Sequence, residues 1–90
     1  MDIRFDPVKR MLTLDERGID FADAGKVFDG PVFEFEDTRF AYPEPRFATY
    51  GLLGERLVAV IWTATDTGRR VISMRKANDR EYARYRHRLA

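Results

Sequence analysis

The chain has no cysteine and a single histidine in 90 residues, and each shortage excludes chemistry. Without thiols there is no disulfide framework, no thiolate zinc site and no thiol nucleophile, so the fold stands on packing alone. The one imidazole, His87, lies near the C-terminus, and no carboxylate cluster recurs at ligand spacing. Neither a metal centre nor a cofactor is therefore expected. A Ser-His-Asp triad also fails, because Ser73 sits inside a strand-like segment with no Gly-x-Ser-x-Gly turn to expose it. The six glycines are scattered and form no phosphate-binding loop. Long apolar runs are missing too. The longest, Leu57 to Trp62, is six residues, against roughly 20 for a bilayer-spanning helix. The opening MDIRFDP has no signal-like apolar segment, so the expectation is a cytoplasmic protein with no membrane partner.

What remains suits one small globular domain spanning residues 1–90, with 44% apolar and 34% charged residues. The formal net charge of +1 conceals a dipole. Residues 69–90 hold eight of the sixteen basic groups and two of the fifteen acids, a formal +6, which leaves −5 on residues 1–68. Clustered positive charge raises the local concentration of phosphates, so an anionic partner is one reading and a solvated, ion-paired helix face is the other.

The pattern alternates between periods. After a short opening strand, Asp6-Pro7 starts a helix expected over Pro7 to Arg17, with Val8, Met11 and Leu12 sharing its apolar face and Gly18 stopping it. Asp20 caps a second helix carrying Phe21, Ala24, Val27 and Phe28, ended by Gly30. From Pro31 the period becomes two, with Phe33 and Phe35 alternating with Glu34 and Glu36. The proline-bearing stretch 37–46 reads as a connection. Strands follow at Phe47 to Leu53, at Leu57 to Thr63, which is apolar throughout and so the most buried, and at Arg70 to Met74. Asn78 with Glu81 three residues later is a capping-box signal for a last helix, whose Tyr82, Tyr85 and Leu89 should face the sheet. The expected fold is α+β, in the order β-α-α-β-β-β-β-α, with a mainly antiparallel sheet and helices packed on one face.

Arg75 and Lys76 stand where a strand gives way to a helix, and Arg46 enters a strand just after Glu44, an acid beside a base at the mouth of the sheet. Metal-free RNA cleavage needs a base for the 2′-hydroxyl, cations for the phosphorane and an acid for the leaving oxygen. Arg46, Glu44, Arg75, Lys76, Glu81 and Tyr85 are candidates of the right types. Arginine stays protonated, so Arg75 and Arg46 suit phosphate, and Glu44 or Glu81 suits proton transfer.

These residues fall in a pattern that resembles the BrnT toxin family of type II toxin–antitoxin modules. Phe5-Asp6 with Lys9 matches its aromatic-Asp-x-x-Lys opening, and Gly18-Ile19 with Phe21, Ala24, Val27 and Phe28 matches its G-V-x-F-x-x-A-x-x-V-F segment. Asp37 with Arg39, then Tyr42, Glu44 and Arg46, match D-x-R and Y-x-E-x-R, and Arg70 to Ala77 with Glu81 and Tyr85 match R-I-I-S-A-R-K-A and E-x-x-x-Y. Glu16-Arg17 replaces the family's Lys-His before Gly18, Thr13 stands for an asparagine, and Phe5 for a tryptophan. The resemblance implies a RelE-like fold and an endoribonuclease that inhibits translation. Arg39, Arg70 and Arg80 are further candidate RNA contacts. The resemblance also implies a BrnA-type ribbon-helix-helix antitoxin, through which alone the complex would reach operator DNA. A catalytically degenerate relative that binds RNA or antitoxin without cleaving is the alternative.

Overall fold

Asp6 and Pro7 begin the first helix as their chemistry requires. In the computed structural model, which describes residues 2–90, the Asp6 carboxylate accepts from the Val8 N–H at 2.9 Å, and Pro7 takes the first helical position, where no N–H is needed. The short strand β1 (Asp2–Phe5) precedes this helix, α1 (Pro7–Arg17), which Gly18 closes at φ 68° by donating its N–H to the Leu14 carbonyl. Asp20 caps a 3-10 turn at Phe21–Asp23 that runs straight into α2 (Ala24–Asp29). Strands β2 (Val32–Asp37), β3 (Arg46–Leu53), β4 (Arg56–Ala64) and β5 (Gly68–Lys76) follow, then α3 (Asp79–Tyr85) and a 3-10 turn at Arg86–Arg88. The protein is thus α+β, and its one sheet has the order β1-β5-β4-β3-β2, antiparallel except where β1 runs parallel to β5.

β4 lies at the centre, as its unbroken apolar run demands, and its alternation fills two cores. Val58, Val60 and Trp62 face Ile19, Phe21, Ala24 and Val27 of the N-terminal helical segment. Leu57, Ala59 and Ile61 point the other way, toward Ala48, Tyr50, Tyr85 and Leu89. The expectation of helices on one face is therefore corrected: α2 covers one side and α3 the other. A strand that is apolar at every position has two faces to bury, and one helical layer covers only one. Polar groups drawn into the first core are satisfied in series. The Trp62 indole donates to the Thr49 hydroxyl at 2.8 Å, and that hydroxyl donates to Glu34 at 2.5 Å. Gly51 on β3 is required by close approach, since a Cβ there would meet Val27 Cγ1 at 2.8 Å.

β5 contains a bulge. Ile61 pairs with Ser73 but Trp62 pairs with Val71, which leaves Ile72 as the extra residue. Val71 and Met74, three apart, consequently face the same core. The carbonyl of Ile72 is taken by the Lys9 ammonium at 2.5 Å, and the carbonyl of Met74 by the Arg17 guanidinium at 2.9 Å.

Those two bonds fix the orientation of α1, and it is the reverse of the sequence expectation. The helix turns its polar side inward, so Val8, Met11 and Leu12 are 65%, 61% and 54% exposed and none of its residues is buried. Arg10 adds a two-pronged pair to Asp20, at 2.6 and 2.9 Å. In α3 the expected sheet-facing set is also reduced: Tyr85 and Leu89 pack inward, while Tyr82 stands at the end of the sheet beside Glu55 and Arg56, exposed and covered only by the Arg86 guanidinium. Met11→Ser should change unfolding stability by less than about 0.5 kcal/mol, as for an exposed position. Lys9→Met, which strips the bulge carbonyl of its donor, should cost about 1 kcal/mol. Chemical denaturation of the two variants separates this inverted helix from a conventionally packed one.

Candidate functional site

The capping box at the start of α3 also builds the most heavily bonded carboxylate of the protein. Asn78 accepts from the Glu81 N–H at 2.8 Å, and Glu81 Oε1 accepts from the Asn78 N–H at 3.0 Å. The same carboxylate receives Arg75 from β5 in a fork, NH1 to Oε1 at 2.6 Å and NH2 to Oε2 at 2.7 Å. Tyr50 of β3 completes the set, its hydroxyl donating to Oε2 at 2.5 Å. Four donors occupy the four acceptor positions of one carboxylate. The Arg75 hydrogen bonds, with Tyr50 and the Asn78 N–H, hold Glu81 down to about 2 against its desolvation. Burial, followed by the bond to Glu81, pushes the Tyr50 phenol up to about 12. Near neutral pH the group is therefore an ionised Glu81, a neutral Tyr50 and a guanidinium locked in one plane.

An aromatic wall stands against this cluster. Tyr85 packs on Tyr50 at 4.4 Å between ring centroids and on Phe33 at 5.3 Å, and Phe35 stacks on Tyr50 at 6.1 Å with 17° between planes. Alternation along β2 puts Phe33, Phe35 and Asp37 on this side of the sheet. A cleft of about 320 Å³ opens where Phe35, Glu36, Arg39, Arg75, Glu81 and Tyr85 converge. Arg39 is braced much as Arg75 is. Its Nε and NH2 donate to the two oxygens of buried Asp37 at 2.9 and 3.0 Å, and Tyr42 donates to the same carboxylate at 3.1 Å. Arg39 leads the interactions that lower Asp37 to about 2. The Glu36 side chain is exposed on the opposite face of β2, the Phe47 side, and makes no hydrogen bond or ion pair among the described residues.

Of the residues singled out in the sequence, the cleft brings together Arg39, Arg75, Glu81 and Tyr85. Arg46 and Arg70 lie on the same face of the sheet beyond it, since Arg46 shares the parity of Ala48 and Tyr50, and Arg70 pairs with Thr63 opposite the Trp62 side. Arg46 leans on the Tyr42 ring at 4.3 Å and does not contact Glu44. Glu44 lines a neighbouring depression on the 38–45 connection. Lys76 pairs with Val58 and shares its side of the sheet, away from Arg75, because adjacent strand residues point oppositely. Arg80 is exposed on α3 with no ion pair among the described residues. Arg17 of α1, which stands at the histidine position of the motif, is tied to the Met74 carbonyl of β5. No group of three or more metal-ligating side chains occurs among the described residues. Tyr50, Phe35 and Asp37 were missed because their roles depend on cross-strand register. The one available signal was the Phe33-Phe35-Asp37 alternation, which places all three on one face.

A family model described as a ribonuclease toxin, BrnT, of type II toxin–antitoxin systems matches residues 5–81. That span includes every cleft residue named above except Tyr85. No curated protein matches the chain.

The depressed Glu81 pKa has a sign that can be checked. Its folded value of about 2 lies below the ordinary 4.5, so its stabilising contribution is complete above pH 4.5 and is lost as pH falls through 2. Glu81→Gln should lower stability at pH 7, where Arg75 loses its counter-charge. It should also flatten the fall in stability between pH 4.5 and 2, with Asp20 and Asp37 still supplying part of the slope. Denaturant titrations across that range measure both effects.

Proposed function

Because the chain belongs to the BrnT family of ribonuclease toxins from type II toxin–antitoxin systems, we propose that it is a metal-independent endoribonuclease acting in the cleft beside Arg75. The observation that supports this site is the planar Arg75 guanidinium held by Glu81 at the wall of an open cleft, with Arg39 at its rim. In the reaction the 2′-oxygen of the substrate attacks the adjacent phosphorus and the bond to the 5′-oxygen breaks. The products are a 2′,3′-cyclic phosphate and a 5′-hydroxyl. Arg75 and Arg39 neutralise the charge that builds on the non-bridging oxygens, a role that needs permanent cations in fixed positions.

Proton transfer falls to a different residue from the one that orients the cation. Glu81, saturated with donors and held near 2, is a weak base and serves as a positioning residue. Glu44, in the adjoining depression, is the carboxylate left to take the 2′-hydroxyl proton, and the departing 5′-oxygen takes its proton from water. Arg46, Arg70 and Arg80 contribute to RNA attraction. Lys76, on the opposite side of the sheet, has no direct part in the cleft chemistry of this reading. The toxin acts in the cytoplasm by stopping translation. Family membership implies an antitoxin partner, and in this reading it is of the BrnA ribbon-helix-helix type and carries the complex to operator DNA.

One observation favours a second reading, a relative that binds RNA or antitoxin without cleaving. Arg39, Asp37, Arg75 and Glu81 are all paired internally, so a phosphate entering the cleft must compete with carboxylates already in place. Incubating the purified chain with RNA in excess chelator separates the two. Cleavage to cyclic-phosphate ends should persist, Arg75→Ala should lose at least about 100-fold in rate, and Glu44→Gln should lose more than Glu36→Gln, whose carboxylate lies on the other face of β2. Intact RNA with the unaltered chain, or cleavage that stops on chelation, overturns the metal-independent reading.

A further inference from the structure

Strand register assembles a surface that no stretch of the sequence contains. Alternation and pairing put Arg46 of β3, Thr63 of β4, Arg70 of β5 and Arg4 of β1 side by side in one row across the sheet, with Arg4 opposite Arg70 and Arg70 opposite Thr63. The row lies on the same face as Arg75. Residues 70 and 75 are an odd number apart and would face opposite sides of a regular strand, but the extra residue Ile72 brings both to one side. α3 packs over Ala48, Tyr50, Leu57 and Ala59, and the row lies further along each strand, beyond that helix. At about 4.8 Å per strand, Arg46 to Arg4 spans about 14 Å.

The three arginines of the row are differently engaged. Arg70 is exposed and makes no ion pair among the described residues. Arg4 is bound to Asp2 at 2.7 Å, a solvent-exposed pair of the kind that phosphate readily displaces. Arg46 rests on Tyr42. At the Arg46 end of this row stands Phe35 on β2, 37% exposed in the cleft and backed by Phe33, Tyr50 and Tyr85, so its ring is held in place. A rigid aromatic ring beside a line of cations accepts an unpaired base together with the flanking backbone. A base locked in a duplex cannot present its face in this way.

We propose that this row is a single-strand track, in which one unpaired base stacks on Phe35 at one end and the backbone of the following nucleotides crosses the sheet past Arg46 to Arg70 and Arg4. This rests on the reading of the cleft as an RNA site and extends it to the strandedness of the substrate. Arg4, on the edge strand, and Phe35 thereby gain roles in substrate selection.

The test uses the whole chain and a labelled 12-nucleotide RNA of mixed sequence carrying 2′-O-methyl groups, which cannot be cleaved through the 2′-oxygen, alone and annealed to its complement. The single strand should bind at least tenfold more tightly than the duplex. Phe35→Leu, which keeps an apolar side chain over Tyr50, should lose about tenfold for the single strand and little for the duplex. Arg4→Gln and Arg70→Gln, both at exposed positions, should each reduce the dependence of log affinity on log salt by about 0.7. Equal binding of both forms, or an unchanged salt slope in both arginine variants, overturns the track. Cleavage of unmodified RNA is scored in parallel. Cleavage without these binding effects defeats the track alone, and the binding effects without cleavage defeat the nuclease reading alone.

Discussion

One carboxylate organises the C-terminal half of the protein. Glu81 closes the first turn of α3, receives the fork of Arg75 from β5 and takes the hydroxyl of Tyr50 from β3, so a helix and two strands meet at two oxygen atoms. A helix of seven residues is too short to persist alone, and α3 is held by this point and by the apolar contacts of Tyr85 and Leu89. The cost is that Glu81 is tied at every acceptor position, and a carboxylate so tied orients its neighbours instead of exchanging protons.

The same economy governs the charge of the whole molecule. The C-terminal excess of +6 suggests a bare basic face, yet Arg75 is neutralised locally and the arginines in the last turn of α3 and just after it lie over rings: Arg84 on Tyr85, Arg86 on Tyr82 and Arg88 on Phe33. Cation–π contacts of this kind orient the side chain and leave its charge facing water. The tail therefore supplies a diffuse field, while cations with defined directions come from the sheet.

What the sequence disclosed, and what it did not, follows from the range of the interaction concerned. The caps at Asp6 and Asn78 and the centrality of β4 depend on neighbours within a few residues, and they were legible. That Arg75, Glu81 and Tyr85 meet was legible because they flank the same strand-to-helix junction. The inward face of α1 was not. Amphipathic spacing shows which side of a helix is apolar, whereas the side that docks was decided by two carbonyls on β5. Tyr50 and Phe35 were hidden for a related reason, since their neighbours are set by pairing between β2 and β3, which no local pattern specifies. The second apolar layer under α3 escaped likewise, although the unbroken run of β4 hinted at it.

The bulge at Ile72 also gives β5 two kinds of tolerance. Replacing a side chain there is a local event, felt at one position. Changing the length of the strand by one residue at a paired position is a phase error: everything downstream exchanges faces, so Met74 would leave the core as Arg75 entered it. Ile72 is the exception, because it has no partner across the ladder. Removing it would join Val71 to Ser73 in regular pairing with Trp62 and Ile61, and Met74 and Arg75 would keep their present faces. Diversification of this protein is accordingly expected to proceed by substitution along β5, with changes of length confined to Ile72 and to connections such as 38–45.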